Sequence, residues 1–551
     1  MPEGVWCRII KKDGFVSKPV LDIHNLVVKV GTSTLIDRIS FQIQPAEIFA
    51  LVGESGSGKS LTSLAIMRLL PDALSIVAGE ITLHQRSLLA LSEAQMQKVR
   101  GKSVAMIFQE PMTSLNPVMR VGDQVSEVLR VHLGLSSKQA QTKVIDLFNE
   151  VGIPQAEERI NWYPHQLSGG QKQRVMIAMA LACEPELLIA DEPTTALDVT
   201  IQAQVLKLLK KLRDERGLSI LFITHDMGVV AEMADRIAVM QKGKIVETAP
   251  SKEFFANPSH PYTRQLLADA LPQRNFKAVQ TNETLLHLRG LKVHFPIKKG
   301  LLQRTVGYVK AVDGVNLEIR RGETLALVGE SGSGKSTIGQ AILRLIDSTE
   351  GEIRYQDVDL AQLNESKIKP LRKKIQVIFQ DPYSALNPRM TIGEIIREGM
   401  VSLKVGSQNK ADQDQRISEL LQQVGLLPEH KLRYPHEFSG GQRQRIGIAR
   451  ALAVEPDLII CDEPTSALDV TVRAQVLDLL NHLQQTYNLS LLFITHDLSI
   501  IPRIAHRVAV MSEGKIVEQG DVQSILENPQ HSYTQTLLAA APSFHEMQHS
   551  L

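Results

Sequence analysis

Short runs of hydrophobic residues alternate along the chain with longer stretches that have helical periodicity. Two of these runs, FALVG at 49–53 and LALVG at 325–329, lead into glycine-rich loops, and a helical stretch follows each loop. Later apolar runs, including LLIAD, LIICD, LFIT, RIAVM and RVAVM, follow the same alternation. Continuous apolar strands between helices are typical of a mainly parallel sheet that is covered on both faces. The pattern therefore predicts an α/β fold.

The sequence contains an internal repeat, and the repeat defines the domains. The string GESGSGKS stands at 53–60 and again at 329–336, and matching positions further along are 271 residues apart. A repeat of this length predicts two complete domains, because solenoid repeats have periods of about 20–50 residues. We place the first domain at 19–271 with a tail at 257–271, a polar linker at 272–283, the second domain at 284–527 and a C-terminal tail at 528–551.

Each domain also contains a polar stretch with helical spacing that interrupts the strand pattern. QVSEVLRVHL and KVIDLFNEVG are two examples from the first domain. Apolar positions at this spacing predict amphipathic helices. We therefore predict a helical subdomain inserted into each α/β core, at about 116–170 and about 387–441.

Composition and charge exclude several classes of protein. The 551 residues are 43% hydrophobic and 22% charged, and 61 basic residues against 60 acidic ones give a net charge of +1, which argues against a broad surface for nucleic acid or anionic lipid. The three cysteines, Cys7, Cys183 and Cys461, lack CxxC spacing, so a disulfide scaffold and a four-thiolate metal site are excluded. We expect no signal peptide and no membrane helix. Any work at a membrane would need other chains to span it.

Both domains carry a complete phosphate-binding loop (P-loop), Gly-x4-Gly-Lys-Ser. Glycines let backbone N–H groups curl around phosphate oxygens, and the following helix presents its positive end. The lysine supplies charge to the β- and γ-phosphates, and the serine hydroxyl can bind Mg²⁺. The predicted nucleotide-binding residues are Gly53, Glu54, Ser55, Gly56, Ser57, Gly58, Lys59, Ser60, Gly329, Glu330, Ser331, Gly332, Ser333, Gly334, Lys335, Ser336 and Thr337.

An aspartate ends a later apolar strand in each domain and is followed directly by a glutamate. These pairs are Asp191–Glu192 and Asp462–Glu463. An aspartate at a strand's carboxyl end beside a P-loop is placed to hold Mg²⁺, directly or through water. The next carboxylate is placed to polarise an attacking water. GTP-binding folds share the aspartate but not this glutamate.

Four further motifs make the chain resemble the ATP-binding-cassette (ABC) ATPases. LSGGQ at 167–171 and FSGGQ at 438–442 look like the signature motif, and TALD at 195–198 and SALD at 466–469 look like the D-loop. Gln109 and Gln380 match the Q-loop, and His225 and His496 match the switch histidine. The resemblance covers nearly the whole chain, twice. It implies two tandem ABC ATPase domains of P-loop, RecA-like fold, each with an antiparallel β part.

The resemblance also implies cofactors and roles. ATP and Mg²⁺ would be bound, and the chain would be an ATPase coupled to transport. The implied catalytic residues are Glu192, Glu463, His225, His496, Gln109 and Gln380. The implied metal ligands are Ser60, Gln109, Asp191, Ser336, Gln380 and Asp462.

The signature motif opens a helix, so its amides and hydroxyl form a second anion cradle. In the ABC family this cradle faces the P-loop of the opposite domain, and ATP lies between the two. One chain with two complete sets is therefore expected to close on itself as a pseudo-twofold pair. The expected partners are Lys59 with Ser439 and Gly441, and Lys335 with Ser168 and Gly170.

The adenine contact is left open by the sequence. The family usually stacks the base on an aromatic side chain, but Val30 holds that position in the first domain. In the second domain Phe295 or Tyr308 could serve. We therefore expect the two sites to differ in nucleotide affinity and to share the same phosphate chemistry.

Two segments resemble those of a narrower group, the ATP-binding subunits of bacterial oligopeptide, dipeptide and nickel importers. The first is EPMTSLNPVM at 110–119 and DPYSALNPRM at 381–390, and the second is NPSHPYT at 257–263 and NPQHSYT at 528–534. The fused arrangement resembles importer ATPases for microcin C and related peptides. Some relatives carry four cysteines for an iron–sulfur cluster after the HPYT segment, but no cysteine follows Cys461 here, so we expect no such cluster.

The resemblance implies a motor subunit that couples ATP hydrolysis to peptide uptake. Its partners would be two inner-membrane permease subunits and a solute-binding protein, and it would be peripheral on the cytoplasmic face of the membrane. The segments around Leu-Asn-Pro would dock the permeases. An importer motor for nickel or glutathione, and a cassette pair acting in translation or on nucleic acid, stay as alternatives. Translation-factor pairs usually have a long charged linker, whereas this linker is short.

Overall fold

The computed structural model describes residues 18–109, 114–194, 199–270, 281–299, 304–466 and 468–540. Several predicted features lie outside the described residues: Cys7, the first D-loop at 195–198 and most of the expected linker. The first four residues of EPMTSLNPVM, at 110–113, and the end of the C-terminal tail, at 541–551, lie outside them as well. The predicted α/β fold with two tandem cassettes is confirmed. Each cassette has a mainly parallel sheet, a smaller antiparallel sheet and flanking helices.

The first half contains two sheets. The antiparallel sheet has the order β2-β1-β4-β5, and its strands are β1 Leu21–Val30, β2 Ser33–Ile43, β4 Leu74–Leu83 and β5 Arg86–Ser87. The core sheet has the order β10-β9-β3-β8-β7-β6, and its strands are β3 Ile48–Val52, β6 Val104–Ile107, β7 Leu187–Asp191, β8 Ser219–Ile223, β9 Arg236–Gln241 and β10 Lys244–Pro250. Only the β9–β10 pair of the core sheet is antiparallel within the described residues.

The second half repeats both sheets. Its antiparallel sheet, β12-β11-β14-β15, is formed by β11 Thr284–Lys299, β12 Arg304–Arg320, β14 Glu350–Tyr355 and β15 Val358–Asp359. Its core sheet, β16-β17-β18-β13-β19-β20, is formed by β13 Thr324–Val328, β16 Ile375–Ile378, β17 Leu458–Asp462, β18 Ser490–Thr495, β19 Arg507–Ser512 and β20 Lys515–Asp521. The strand order is that of the first half, with matching neighbours.

The helices follow the repeat as well. In the first half they are Lys59–Met67, Glu93–Val99, Val121–Leu133, Ser137–Glu150, Ala156–Arg159, Gly169–Leu181, Val199–Arg216, Met227–Met233, Ser251–Ala256 and Pro261–Ala270. In the second half they are Lys335–Ile342, Glu365–Ile368, Ile392–Ser402, Lys410–Gln423, Gly440–Leu452, Val470–Tyr487, Ile501–Ile504, Val522–Glu527 and Ser532–Ala540. Helices thus fill the polar stretches that the sequence assigned to inserted subdomains. Among the described residues, no helix combines the length and apolar character needed to span a bilayer.

The central strands of each core sheet are apolar on both faces because they separate two hydrophobic cores. On β7, Leu187 and Ile189 pack toward the antiparallel sheet, whereas Leu188 and Ala190 pack toward the helical insert. Alternate side chains of a strand point to opposite faces, so a strand between two layers must be apolar throughout. Cys461 occupies the same layer in the second half, where it is fully buried, and burial raises the pKa of its thiol. It is a small core residue there.

The two halves contact each other reciprocally through four helices. We call Pro261–Ala270 and Ser532–Ala540 the first and second tail helices, and Val199–Arg216 and Val470–Tyr487 the first and second seam helices. The first tail helix packs against the second seam helix, and the second tail helix packs against the first seam helix. This exchange is what a pseudo-twofold pair requires.

Candidate nucleotide-binding and hydrolysis sites

Both P-loops connect the carboxyl end of a buried core strand to the first turn of a helix. In the first half β3 ends at Val52 and the helix begins at Lys59. Gly58, which precedes the helix, has φ of 106°, a left-handed value that favours glycine. A Cβ atom at Gly53 would clash with the carbonyl oxygen of Met240 on the neighbouring strand. The glycines are therefore needed by the backbone path itself, and the second loop repeats this geometry.

The P-loop lysines lie inside the loops. The Nζ atom of Lys59 donates to the carbonyl oxygens of Gly53 and Glu54 at 2.7 and 2.8 Å, and Lys335 makes the matching bonds to its own loop at 2.8 and 2.7 Å. Burial lowers the pKa of Lys59, and the acidic groups Glu192, Asp191 and Asp469 oppose this shift. The loop thus fixes a cationic group where the resemblance places the phosphates.

The P-loop serine and the strand-end aspartate, which the sequence analysis predicts as metal ligands, are hydrogen-bonded to each other. Ser60 Oγ donates to Asp191 Oδ1 at 3.1 Å, and Ser336 Oγ donates to Asp462 Oδ1 at 2.8 Å. Burial raises the pKa of Asp191 to about 6, although the Ser60 bond opposes the shift, and burial raises the pKa of Asp462 as well. A divalent cation next to these oxygens would favour the charged carboxylate.

The donor set fits Mg²⁺ when the ion is shared with a nucleotide. Hydroxyl and carboxylate oxygens are hard ligands, which Mg²⁺ prefers. The described part of the chain contains no group of three or more His, Cys, Asp or Glu side chains that could hold a metal ion. Phosphate oxygens and water would therefore have to complete the coordination, as is usual for Mg²⁺ at nucleotide sites.

The glutamate after each aspartate is held by two other predicted catalytic residues. Gln109 Nε2 donates to one carboxylate oxygen of Glu192 at 2.8 Å, and Nδ1 of His225 lies 3.1 Å from the other. The second half repeats both distances with Glu463, Gln380 and His496. Three residues that are far apart in sequence therefore meet at the carboxyl ends of neighbouring strands.

The backbone of both glutamates is in an uncommon conformation. Glu192 has φ of 48° and Glu463 has φ of 45°, which is the left-handed region that non-glycine residues rarely adopt. Such residues cluster at functional sites, where the surrounding structure maintains the strain. The same outlier at equivalent positions supports a functional role for both carboxylates.

The second histidine–glutamate pair is electrostatically coupled. The bond to Glu463 raises the pKa of His496, and this effect outweighs burial. Burial would raise the pKa of Glu463, but the bond to His496 and the charge of Lys335 lower it. The pair therefore favours an imidazolium beside a carboxylate.

The signature motifs form the N-terminal caps of helices. Ser168 Oγ accepts from the N–H of Gln171 at 3.3 Å, and the Gln171 side chain accepts from the N–H of Ser168 at 3.2 Å. Ser439 and Gln442 form the same capping box. Both serines are exposed, so each helix N-terminus is accessible to an anion. Contact between each signature and the opposite P-loop stays a prediction.

Comparisons with known proteins agree with this constellation. The ABC transporter model matches residues 36–195 and 312–466. The chain belongs to the ABC transporter ATPases. The model of the oligopeptide/dipeptide transporter C-terminal region matches residues 246–286 and 517–551 of this ABC ATPase. The two matches to each model follow the internal repeat.

Two curated relatives align over nearly the full ABC ATPase. The peptidoglycan transport ATP-binding protein YejF of Agrobacterium fabrum is 48% identical over 95% of this chain and 97% of the relative. The glutathione import ATP-binding protein GsiA of Escherichia coli K12 is 51% identical over 92% of this chain and 86% of the relative. A solved structure, the dimeric ATP-binding cassette MJ0796 with ADP and Pi, aligns with a TM-score of 0.39 at 29% identity, over 43% of this chain and 98% of that one.

The glycines of the signature helices have a packing role that the sequence analysis did not identify. A Cβ atom at Gly170 would lie 2.7 Å from Cγ2 of Ile201 on the first seam helix. At Gly441 it would come closer still to Val472 on the second seam helix. The preceding glycines, Gly169 and Gly440, have open space or ordinary contacts. The second signature glycine thus lets each signature helix approach a seam helix closely.

Residues from opposite halves of the ABC ATPase also contact each other. We call the surface where the two halves meet the seam. Thr200, at the start of the first seam helix, donates through its hydroxyl to the carboxylate of Glu330 in the second P-loop at 2.7 Å. Asp469 of the second D-loop caps the second seam helix and acts electrostatically on Lys59. Sequence motifs gave no signal for the Thr200–Glu330 contact, because threonine after a D-loop has no distinctive spacing.

The aromatic candidates for adenine lie on the long hairpin of β11 and β12. Phe295 pairs with Val309, and Tyr308 pairs with Pro296, so the two aromatic residues are at neighbouring register positions. Because side chains alternate along a strand, Phe295 and Tyr308 point to opposite faces of the hairpin. At most one of them can therefore stack on the same base.

The described parts of the Leu-Asn-Pro segments form similar turns. Leu115 and Leu386 are buried, and the side chains of Asn116 and Asn387 accept from backbone N–H groups two residues later at 3.1 and 3.0 Å. Val118, next to the first turn, is 79% exposed. The turn leads into a groove of about 790 Å³ between the first two helices of the insert, whose lining includes Met119, Arg120, Asp123 and Gln141.

Proposed function

We propose that this ABC ATPase is the motor subunit of a bacterial peptide importer and works with separate permease chains. The observation that carries the proposal is the joint presence of two matches to the ABC transporter model and two matches to the oligopeptide/dipeptide transporter C-terminal region. The cargo would be di- or oligopeptides, or microcin C-like peptides. Glutathione, itself a tripeptide, is a second candidate, because GsiA is named for its import.

The phosphate contacts follow from the P-loop geometry. Backbone N–H groups and the positive end of the following helix would surround the β- and γ-phosphates, and Lys59 or Lys335 would neutralise their charge. When bound, Mg²⁺ would supply Lewis-acid stabilisation of the phosphate oxygens, with Ser60 and Asp191, or Ser336 and Asp462, as its protein ligands. Gln109 and Gln380 contact the glutamates, so the predicted role of these two glutamines as metal ligands stays a prediction.

The hydrolytic step would use the glutamates. Glu192 and Glu463 would orient the attacking water and accept its proton, because each directly follows the aspartate of the expected metal pair and contacts a glutamine and a histidine. Gln109 and Gln380 hold these carboxylates in position. His225 and His496, whose Nδ1 atoms lie at the glutamates, would contact the γ-phosphate as it is released.

ATP would be bound between the halves at both sites. Lys59 would face Ser439 and Gly441, and Lys335 would face Ser168 and Gly170. The reciprocal packing of tail and seam helices and the exposed signature serines support this arrangement. ATP would then stabilise the closed pair, and hydrolysis would release it, because a ligand shifts an equilibrium only through its differential affinity for the two states.

Two permease subunits would dock on the helical inserts, and a solute-binding protein would deliver the cargo. The groove beside the first Leu-Asn-Pro turn offers a concave surface on the first helical insert. Closure of the halves would move both inserts and the permeases attached to them. The ABC ATPase would then be peripheral on the cytoplasmic face of the inner membrane.

Uptake assays test the proposal directly. A strain deleted for this gene should lose uptake of a labelled dipeptide, oligopeptide or glutathione, and the parental gene should restore it. A gene encoding both Glu192→Gln and Glu463→Gln should not restore uptake, although its product should still fractionate with membranes when the permeases are present. Unchanged uptake of every peptide in the deletion strain, or fractionation with ribosomes, would contradict the proposal.

A further inference from the structure

The tail of each domain contacts the P-loop of the same domain through a tyrosine. The N–H of Glu54 donates to the hydroxyl of Tyr262 at 3.2 Å, and the N–H of Glu330 donates to the hydroxyl of Tyr533 at 3.1 Å. The carbonyl oxygens of the same two glutamates accept from the P-loop lysines at 2.8 and 2.7 Å. A tyrosine and a lysine therefore hold one residue of each loop from two sides.

The tail motif explains how the tyrosine is oriented. His260 Nδ1 accepts from the N–H of Tyr262 at 3.2 Å, and the Glu247 carboxylate accepts from the N–H groups of Ser259 and His260 at 2.7 and 3.0 Å. The second tail repeats these bonds with His531, Tyr533, Glu518 and Gln530. The second tail keeps this geometry although serine replaces the proline that follows the histidine. The histidine and the tyrosine, which both tails share, carry the contact.

Each tail helix also reaches the opposite half. Tyr262 lies in the first tail helix, which packs against the second seam helix, and Tyr533 lies in the second tail helix, which packs against the first seam helix. Asp469, the cap of the second seam helix, is close enough to act electrostatically on both Tyr262 and Lys59. Each tail helix is thus placed between its own P-loop and the helix that follows the opposite D-loop.

At the second site the two connections meet in one residue. The Glu330 carboxylate accepts from Thr200 of the first half, and the Glu330 N–H donates to Tyr533 of the second tail. Displacing Thr200 would therefore act on the same P-loop residue that Tyr533 holds.

We propose that Tyr262 and Tyr533 are positioning residues that couple the geometry of each P-loop to the closure of the seam. With the seam closed, the opposite seam helix fixes the tail helix, and the tyrosine fixes the second residue of the P-loop. With the seam open, this restraint is released, the loop is held less firmly in its ATP-binding geometry, and ATP binds less tightly. The inference rests on the proposed role of the P-loops and gives the peptide-transporter tail a part in the ATP cycle.

A double-mutant cycle tests the coupling at the second site. Tyr533→Phe, which keeps the ring, and Thr200→Val, which keeps the shape, should each lower kcat/KM for ATP and the affinity for a fluorescent ATP analogue in EDTA by about 2–10-fold, the net value of one hydrogen bond. The double variant should lose less than the product of the single losses, because both bonds act through Glu330. Tyr262→Phe should show a similar loss alone but combine multiplicatively with Thr200→Val.

Two controls separate the possible outcomes. Tyr487→Phe, at an exposed tyrosine of the second seam helix, should leave all parameters unchanged. Parental protein that fails to bind ATP would contradict the proposed function, whereas parental binding with unaffected Phe variants would overturn only this inference. Equal coupling of Thr200→Val to both tyrosines would overturn it as well.

A hydrogen-exchange measurement tests the same coupling without a tyrosine substitution, in case Tyr533→Phe or Tyr262→Phe destabilises the fold. In the protein with native tyrosines, Thr200→Val should speed amide exchange in the second P-loop at 329–334 and leave the first P-loop at 53–58 unchanged. Unchanged exchange in both loops, or faster exchange in both, would overturn the proposed coupling.

Discussion

At the scale of single residues, each candidate site brings together side chains for which we propose different tasks. Glu192 accepts one hydrogen bond from Gln109 on one carboxylate oxygen, and His225 lies next to the other oxygen. The backbone of Glu192 adopts a left-handed conformation. A carboxylate held in this way has a fixed direction, which is what orienting a water molecule requires. The adjacent Asp191 contacts the P-loop serine instead.

Removing the glutamate charge should separate binding from hydrolysis. With Glu192→Gln and Glu463→Gln, we expect the ATPase rate to fall by about 10²–10⁴-fold, the usual contribution of a general base. ATP affinity should stay within about twofold, because the P-loop contacts are untouched. Steady-state turnover and binding of a fluorescent ATP analogue check both values. Turnover at the parental rate would show that another group activates the water.

The pKa of Asp191 leads to a prediction about stability and pH. Because burial raises this pKa to about 6 from 3.8, the folded state binds the proton more tightly than the unfolded state. The resulting stability is fully present below about pH 4 and is lost as the pH rises through about 6. In EDTA without nucleotide, Asp191→Asn should therefore raise the free energy of unfolding at pH 7.5 by up to about 3 kcal/mol.

This gain should disappear as the pH falls from about 6 to about 4, where the parental carboxyl becomes neutral. Urea unfolding across that range, in EDTA, measures it. With Mg²⁺ and ATP the order should reverse, because the asparagine variant loses a metal ligand. If the variant exceeded the parental protein in stability by the same amount at both pH values in EDTA, the burial of an ionised Asp191 would be contradicted.

At the scale of elements, strand–loop–helix units could be predicted from sequence because their signals are local. The apolar strand, the glycine spacing and the helical run at 49–67 are contiguous, and the structure places β3, the P-loop and the helix there. The helices of the inserts were likewise visible from periodicity. The tail contact was not, because Tyr262 and Glu54 are 208 positions apart and no pattern links them.

The packing of the signature helices gives a prediction with a built-in control. Gly441→Ala should lower the free energy of unfolding by about 1–3 kcal/mol, because the new methyl group would overlap with the stiff side chain of Val472. Gly440→Ala, one residue earlier, meets only an ordinary contact and should be neutral or stabilise the helix by up to about 1 kcal/mol. Urea unfolding compares the two. Equal stability of both variants would show that the signature helix does not need this close approach.

At the scale of the whole molecule, the repeat places both halves of the ATPase pair in one chain. The tail helix of each half packs against the seam helix of the other half, so neither P-loop is supported by one half alone. The halves also differ, because β11 and β12 span 16 and 17 residues whereas β1 and β2 span 10 and 11. The sequence predicted the pairing through the resemblance, but the Thr200–Glu330 contact depends on tertiary packing.

A distance measurement across the seam needs a chain without its native cysteines. The repeat suggests the replacements, since Ala190 stands where Cys461 does and Val454 stands where Cys183 does. Cys461→Ala and Cys183→Val should therefore preserve the cores, and Cys7→Ser completes the set. New cysteines at exposed His165, beside the first signature, and exposed Asp347, beyond the second P-loop helix, would carry spin labels.

The most direct test of the claim that ATP binds between the halves and draws them together is the distance between these two labels. Pulsed electron spin resonance would measure it in the protein that carries Glu192→Gln and Glu463→Gln. The account predicts one shorter distance population when ATP is added and its reversal when ATP is removed. A distance that stays the same or lengthens with bound ATP would contradict it.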